Sequence, residues 1–143
     1  MGDKKAGGGM MENPKASCRK APMSTVPAQV LMEVGVAMLE GALKYGRHNY
    51  RDVQVHSSTY YDATMRHLMA WWEGENDDPD SGLCHITKAI ASLVVLRDCI
   101  GTGLLIDDRP SPLAPGWVAD LNDGAAEMIQ YYEDLAKQHD QAR

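Results

Sequence analysis

Two glutamates in the first amphipathic segment have a spacing that could support metal chemistry. Glu33 and Glu40 are seven residues apart, which places them on one helix face, two turns from each other. The small residue Ala37 lies between them, so two carboxylates here could hold divalent cations and leave room for a ligand. The alternative is an exposed face on which Glu40 and Lys44 form an i,i+4 ion pair worth a few tenths of a kcal/mol. The spacing by itself favours this second interpretation.

A second segment places three charged residues on one helix face. Asp62, Arg66 and Glu73 follow each other at spacings of four and seven. Asp62 is either a metal ligand or the second half of a capping box that begins at Thr59. The planar guanidinium of Arg66 suits a phosphate group. His67 lies off this face, and a single histidine near an apolar face is typical of a hydrogen-bonded core residue.

The stretch between residues 72 and 81 contains five acidic residues and no basic one. They are Glu73, Glu75, Asp77, Asp78 and Asp80. Carboxylates this close repel each other unless they are solvated or bind cations, and the hard ions Mg²⁺ and Mn²⁺ are natural partners. Glu75 and Asp78 form an E-x-x-D pair within it. An EF-hand is excluded, because no register provides the acidic positions, the glycine and the final glutamate.

A third segment is strongly apolar but carries a polar stripe. His85, Lys88 and Ser92 recur at i, i+3 and i+7, so they form either the wall of a site or the solvent face of the helix. Bases able to meet phosphate occur in several segments: Lys44, Arg47, Arg66 and Lys88. Carboxylates on several helices together with these bases suit metal-assisted chemistry on a phosphorylated ligand.

Composition and missing motifs exclude several other classes. The chain has 143 residues and a net charge of −6, which fits one ordinary domain and argues against nucleic-acid binding. No apolar stretch approaches the roughly 20 residues of a membrane span. The run Gly7–Gly9 is not followed by GK[ST], and neither a G-x-S-x-G elbow nor a zinc-type Cys/His set occurs. Three cysteines without a CxxC pair favour a reducing, cytoplasmic setting.

The elements that must position these residues are all helical. Apolar periodicity, prolines and glycines predict an all-α fold with main helices over about 28–45, 59–72, 83–100 and 117–138, and no strand. Residues 1–27 form a basic, proline-punctuated N-terminal arm and residues 28–138 the helical domain, with a proline-rich linker at 107–116. Trp71 and Trp72 are expected to be core or subunit contacts.

A series of short motifs in a fixed order resembles a known family. These motifs are Asn13-Pro14-Lys15, Lys20-Ala21-Pro22, Val26-Pro27, Glu33-Val34, Lys44-Tyr45-Gly46, Asn49-Tyr50, Arg66-His67-Leu68, Gly74-Glu75, Asp78-Pro79-Asp80-Ser81-Gly82 and His85. Over about residues 13–100 the sequence resembles the phage dATP/dGTP diphosphohydrolases, which are MazG-like nucleotide pyrophosphohydrolases. It particularly resembles members from phages that replace adenine with 2-aminoadenine. The resemblance implies a four-helix MazG-like bundle.

The resemblance also implies an activity and an assembly. The reaction would be hydrolysis of a purine (deoxy)nucleoside triphosphate, dGTP or GTP, to the monophosphate and pyrophosphate, with two or more Mg²⁺ or Mn²⁺ ions per site. The product dGMP would then supply 2-aminoadenine nucleotide synthesis in the host cytoplasm. A protein of this length can hardly enclose both a nucleotide and its metals, so a homo-oligomer is expected, a tetramer by resemblance. No membrane or nucleic-acid partner is expected.

The family's metal motifs are only partly matched. Glu33 is followed at i+3 by Val36, so the usual ExxE pair is broken, and Asp62 is preceded at i−3 by Thr59 rather than by Glu. The literal ExxD is Glu75–Asp78. The expected metal ligands are Glu33, Glu40, Asp62, Glu75 and Asp78. The expected catalytic residues are Glu33, Lys44 and Arg66. The expected substrate contacts are Lys20, Ser24, Lys44, Asn49, Arg66, His67, His85 and Lys88.

Two alternatives to this function remain open at the level of sequence. The chain could be a non-catalytic nucleotide-binding or helical interaction module whose carboxylates are surface residues, or a pyrophosphohydrolase directed at dATP. The sequence does not decide between guanine and adenine, because backbone groups or the basic arm can recognise the base.

Overall fold

The computed structural model describes residues 20–141 and contains the four main helices that the sequence predicts. They are α1 (Ala28–Tyr45), α2 (Ser57–Trp72), α3 (His85–Thr102) and α4 (Trp117–Gln141). Short 3₁₀ turns occur at Met23–Thr25 and Asn49–Arg51. Residues 1–19 and 142–143 lie outside the described part of the chain, and most of the predicted arm lies among them.

Proline and glycine set the predicted ends of two helices. Helix α1 begins directly after Pro27 and ends before Gly46, whose φ of +97° is accessible at low cost only to glycine. Helix α3 ends before Gly103, which adopts the left-handed conformation common after helix C-termini. The capping box predicted at Thr59 and Asp62 is wrong, because α2 already begins at Ser57.

Two very short strands connect the start of α2 to the end of α3, although no strand was predicted from the sequence. Strand β1 (Val55–His56) pairs in parallel with β2 (Leu105–Ile106), in the register Val55 to Leu105. The hydroxyl of Ser57 donates to the carbonyl of Ile106 over 3.3 Å. Strands of two residues are too short to show an alternating pattern in sequence. Their pairing brings the start of α2 to the end of α3.

Helix α3 packs against both α1 and α2, and small residues make this possible. Its buried residues include Ala89, Ala91, Val95 and Cys99, and the core contains Tyr50, Val95 and Cys99. Small side chains let neighbouring helices approach closely. The larger apolar residues Leu93 and Val94 of the same helix are 48% and 41% exposed.

The tryptophans at the end of α2 are not core residues. Trp71 is 42% exposed and Trp72 is 79% exposed. The core interpretation of these residues is therefore wrong, and the subunit-contact interpretation stays a prediction.

The chain divides into two compact units, one ending at Ile106 and one beginning at Asp107. The second unit contains the predicted linker and α4, which has no buried residue. The apolar residues Val118, Leu121, Met128 and Ile129 of this helix are all more than half exposed. Within residues 20–141, none of the helices combines the length and the apolar character that crossing a membrane requires.

Candidate functional site

A cavity of about 420 Å³ opens in the first unit, between α1, α2, α3 and the chain segment after α1. This volume is in the range of small-molecule sites in proteins. Its main apolar lining residues are Ala37, Met38, Leu39, Ala42, Tyr45, Tyr50, Tyr60, Ala91 and Val95. Its polar lining residues are Glu40, Lys44, Arg47, His48, Asn49, His67, Lys88 and Ser92. The cavity therefore combines an apolar surface with convergent charged groups.

The segment that carries Arg47, His48 and Asn49 is held in place from α3. Arg51 donates twice to Asp98, from Nε over 2.8 Å and from a terminal nitrogen over 2.5 Å. The hydrogen bond from Arg51 holds the pKa of Asp98 below its ordinary value. A bidentate pair fixes direction as well as distance, so this wall of the cavity has a defined position.

Four charged side chains alternate in sign, and three of them, Lys44, Glu40 and Lys88, line the cavity, whereas Asp78 contacts Lys88 from the acidic loop. Glu40 accepts from Lys44 over 2.5 Å through Oε1 and lies 3.3 Å from the Lys88 ammonium through Oε2. Lys88 also donates to Asp78 Oδ2 and, over 3.1 Å, to the hydroxyl of Ser81. The hydrogen bond from Lys44 is the main cause that lowers the pKa of Glu40. The i,i+4 pair expected from spacing is confirmed, and Lys88 adds a partner from another helix.

Asp78 is the buried anchor of the acidic loop. Its Oδ1 accepts from the backbone N–H of Asp80 over 3.1 Å, and its Oδ2 accepts from the Ser81 hydroxyl over 3.0 Å. Such side-chain bonds to residues two and three positions on are typical of aspartate in turns. The bond from Lys88 is the largest cause that lowers the pKa of Asp78 to about 2. Asp78 is therefore ionised and fixed in place at neutral pH.

A second hydrogen-bonded chain links α2, α3 and the acidic loop. His67 and His85 approach through their Nδ1 atoms at 2.8 Å. His85 Nε2 lies 2.7 Å from Glu75 Oε1. His85 is buried and does not line the cavity, whereas His67 does. Burial, and then the positive charge of Lys88, lower the pKa of His67.

The predicted metal ligands do not all converge. Among residues 20–141, no three His, Cys, Asp or Glu side chains are grouped closely enough to hold a metal ion. Two of the predicted ligands, Glu40 and Asp78, do converge on one point, the ammonium of Lys88. Lys88 is thus a cation between two hard oxygen donors, and this donor chemistry fits Mg²⁺ or Mn²⁺. The pair fits part of a divalent-cation shell.

The other predicted ligands have different surroundings. Glu33 accepts from Gln29 over 2.8 Å and, at 3.4 Å, from the hydroxyl of Thr87. Glu75 is bonded to His85 as described. Asp62 is exposed on α2 and does not line the cavity. These three carboxylates are not members of the ion-pair chain.

Only some of the predicted substrate contacts line the cavity. Lys44, Asn49, His67 and Lys88 line the cavity, whereas Arg66 does not. Lys20 and Ser24, at the described end of the arm, do not line it either. Of the polar stripe on α3, Lys88 and Ser92 lie at the cavity and His85 lies behind His67. Two of the three residues of the predicted site wall on α3 thus line the cavity, and their role in a site stays a prediction.

Three tyrosines in the cavity lining, Tyr45, Tyr50 and Tyr60, were not predicted as site residues, and neither was His48. Tyr50 and Tyr60 line the cavity beside Val95. Tyr50 belongs to the Asn49-Tyr50 motif, so the family resemblance contained a signal for it. Tyr60 lies within the helical pattern of α2 and carries no comparable signal.

Comparison with known proteins identifies the family. The family described as dATP/dGTP diphosphohydrolase, N-terminal, matches residues 12–109. The chain belongs to this family. A dATP/dGTP diphosphohydrolase of Salmonella phage PMBT28 is 29% identical over 98 residues, which are 68% of this chain and 33% of that protein. This member of the diphosphohydrolase family thus spans about a third of the length of the curated relative it matches.

The match to the diphosphohydrolase family covers the whole of the cavity. All cavity-lining residues lie between Gly35 and Val95, inside the matched region, whereas α4 lies beyond it. No solved structure shows a significant match to the chain. The family is therefore assigned by sequence, and the geometry of the cavity is described from this chain alone.

Proposed function

We propose that the protein hydrolyses a purine deoxynucleoside triphosphate, dGTP in preference to dATP, to the monophosphate and pyrophosphate. The observation that carries this proposal is the series of ion pairs Lys44–Glu40–Lys88–Asp78, whose first three members line a ligand-sized cavity. It lies within the region that matches a family of dATP/dGTP diphosphohydrolases. The related phage protein carries the same name.

The lining of the cavity supports binding of the phosphates at one end and of the purine base at the other. Lys44, Arg47 and Lys88 carry the positive charge that a triphosphate needs. Tyr50 and Tyr60, beside Val95, offer an apolar and aromatic surface against which a purine can pack. A triphosphate placed this way has its anionic end at the ion-pair chain and its base over the tyrosines.

Mg²⁺ or Mn²⁺ is part of the proposal, with Glu40 and Asp78 as the carboxylates that would hold it. A divalent cation bound to phosphate oxygens supplies charge neutralisation and lowers the pKa of a coordinated water. Lys44 and Lys88 would neutralise phosphate charge on either side, and Ser81 and the Asp80 amide would keep Asp78 oriented through the bonds they already donate. Glu33, two turns before Glu40 on the same face of α1 and outside the cavity lining, stays a predicted ligand of the cation.

The experiment that tests the function is a panel of deoxynucleoside and ribonucleoside triphosphates with the purified chain and Mg²⁺ or Mn²⁺. Pyrophosphate and inorganic phosphate are measured separately. We expect one pyrophosphate per monophosphate from purine deoxynucleotides and no activity with chelator. Absence of product with every purine triphosphate, together with measurable nucleotide binding, would favour the non-catalytic module. Release of inorganic phosphate alone would identify a different phosphohydrolase.

The finer parts of the proposal derive from the sequence resemblance. They are the preference for dGTP and the supply of dGMP to 2-aminoadenine nucleotide synthesis in the host cytoplasm. The same panel tests the preference, because a guanine-directed enzyme would turn over dGTP faster than dATP at equal concentration. Faster turnover of dATP would instead support the dATP-directed alternative.

We also propose that the protein is a homo-oligomer, a tetramer by resemblance. Helix α1 exposes Leu39 by 48% and Leu43 by 80%, and α2 exposes Met69 by 61% and Trp72 by 79%. Large exposed apolar surfaces of this kind mark interaction sites in proteins.

Sedimentation equilibrium is expected to give four times the monomer mass for the wild-type chain. Leu43→Glu and Trp72→Glu are expected to lower that mass, because each would bury a charge at the contact. Glu73→Ala, a change of an exposed neighbour, serves as the control. A monomeric wild-type chain at micromolar concentration would contradict the proposal.

A further inference from the structure

We propose that His67 takes the proton of the attacking water, and that Glu75 and His85 position it for this through the hydrogen-bonded chain. The inference rests on the proposed function, since it assigns the base of that reaction. In this assignment His67 is a catalytic residue, whereas Glu75 and His85 are positioning residues that act through it.

The hydrogen-bond chain fixes which nitrogen of His67 is free. An ionised carboxylate only accepts hydrogen bonds, so His85 Nε2 must carry the proton in its 2.7 Å contact with Glu75. A neutral His85 then has an unprotonated Nδ1, which accepts from the Nδ1–H of His67 over 2.8 Å. A neutral His67 protonated at Nδ1 has its lone pair at Nε2. Glu75 thereby sets the tautomer of a residue two hydrogen bonds away.

The position of the two rings directs this lone pair toward the cavity. His67 lines the cavity, whereas His85 is only 4% exposed and lies outside the lining. The Nδ1 edge of His67 faces His85, so the opposite edge, with Nε2, is the one available to the cavity. The 2.8 Å contact of His67 uses Nδ1, which leaves Nε2 for a ligand in the cavity. This Nε2 is an oriented acceptor beside Lys88, at the phosphate end of the site.

The charges around His67 favour its neutral form before the reaction. Burial is the main effect that lowers the pKa of His67, followed by the positive charge of Lys88 and, as the smallest contribution, that of Arg66 on its own helix; His85 would add to this effect only in its charged form. Asp78, from the acidic loop, acts in the opposite direction. From α1, Glu40 faces Lys88 and offsets part of its charge. The balance leaves His67 able to accept a proton near neutral pH.

The proposed step balances in atoms and charge. The water oxygen forms a bond to the α-phosphorus while one water proton moves to His67 Nε2. The bond between the α-phosphorus and the oxygen that bridges to the β-phosphate breaks, and its electron pair leaves with pyrophosphate. The resulting imidazolium keeps its Nδ1–H bonded to His85, and the negative charge of Glu75 stabilises it through the chain, as a carboxylate does for a catalytic histidine.

An NMR experiment tests the hydrogen bonds between His67, His85 and Glu75 without requiring any enzymatic turnover. In the nucleotide-free and metal-free protein, ¹⁵N imidazole shifts at neutral pH are expected to show His67 protonated at Nδ1 and unprotonated at Nε2. Glu75→Gln is expected to mix the two tautomers of His67, because an amide can donate as well as accept. Glu73→Gln, a change of an exposed glutamate two residues away, is expected to leave the spectrum unchanged. A His67 protonated at Nε2 in the wild-type protein would overturn the proposal.

A kinetic test separates the base from a merely structural residue. His67→Gln is expected to lower kcat about 100-fold while KM changes less than about threefold. Glu75→Gln is expected to lower kcat and to move the acid limb of the pH–rate profile to lower pH, since the imidazolium loses a stabilising negative charge. His139→Gln on α4 is the histidine control, and thermal melts confirm that each variant folds.

The two experiments separate a failure of the proposed role of His67 from a failure of the proposed hydrolysis. A wild-type chain that hydrolyses no triphosphate would end the proposed function, and the NMR experiment would still report on the chain of histidines. An active wild-type chain with a fully active His67→Gln variant would overturn the inference and leave the function in place. Because Glu75 is 55% exposed, its variant is expected to fold even where His67→Gln does not, and an unshifted pH profile for it would also count against the proposal.

Discussion

Replacing Glu40 by glutamine is expected to lower kcat for a purine deoxynucleoside triphosphate by on the order of 100-fold or more. Glu40 is the carboxylate that contacts both cavity lysines, Lys44 at 2.5 Å and Lys88 at 3.3 Å. A neutral amide cannot balance two ammonium groups, so both would shift from the positions from which they are proposed to meet phosphate. The variant would also lose one of the two carboxylates proposed to hold the divalent cation.

Glu73→Gln is the matched control for this prediction. Glu73 is an exposed residue that directly follows α2, so its variant changes net charge equally without touching the cavity. The measurement is initial-rate pyrophosphate release at saturating nucleotide, with circular dichroism to verify folding. A Glu40→Gln variant that keeps more than about a third of the wild-type kcat would remove Glu40 from the proposed mechanism.

Lys88→Met is expected to destabilise the metal-free protein by about 2 kcal/mol, or roughly 5–10 °C in Tm. Lys88 is 15% exposed, and its removal leaves Asp78 and Glu40 without the cation they share. Two carboxylates freed in this way form a better site for a divalent ion. Millimolar Mn²⁺ is therefore expected to raise the Tm of the variant more than that of the wild-type protein, and to bind it more tightly in calorimetry without nucleotide.

The difference in stability between Lys88→Met and the wild-type protein is expected to depend on pH. The ion pair lowers the pKa of Asp78 to about 2 in the folded protein, below the ordinary value of 3.8. A lowered folded-state pKa gives stability that is fully present above the unfolded value and is lost as pH falls through the folded one. The difference between Lys88→Met and wild type should shrink between about pH 4 and pH 2.

A lysine in an exposed ion pair is the control for Lys88. Lys137→Met on α4 removes a lysine that lies 3.2 Å from Asp134, and exposed pairs contribute little to stability. Equal stability of Lys88→Met and wild type at pH 7, or an equal response of both to Mn²⁺, would contradict the view that Lys88 occupies a cation position.

Local sequence signals were sufficient for the helices but not for their contacts. Pro27, Gly46 and Gly103 act on their own backbone, so the ends of α1 and α3 could be predicted from residue type. The buried face of α3 could not be predicted in this way. This helix approaches both α1 and α2 closely, so small residues such as Ala91 are buried there, whereas larger ones such as Leu93 are exposed. The two-residue strands depend on pairing across some 50 residues, as between Val55 and Leu105, and leave no local pattern.

The candidate site shows the same division between local and long-range information. The Glu40–Lys44 pair lies on one helix and followed from spacing alone. The bonds from Lys88 to Asp78 and between His85 and Glu75 depend on the path of the acidic loop. That path is set by Asp78 accepting from Ser81 and by the backbone bond from His85 to Asn76. The charge pattern in the sequence could therefore predict a phosphate-binding site, but it could not predict which carboxylate pairs with which lysine or histidine.

The uneven burial of the helices has a consequence for how a nucleotide enters. Helix α1 has two buried residues, Val34 and Ala37, whereas α3 has six. Regions with few buried contacts open at lower free energy than the rest of a protein. Helix α1 also packs against α3 less extensively than α2 does, so it is the cavity wall that separates most readily from α3, and it carries Glu40 and Lys44 with it. In the proposed reaction, the fluctuation that admits a nucleotide would also move Glu40 and Lys44 away from Lys88, so hydrolysis would wait until α1 has returned to α3.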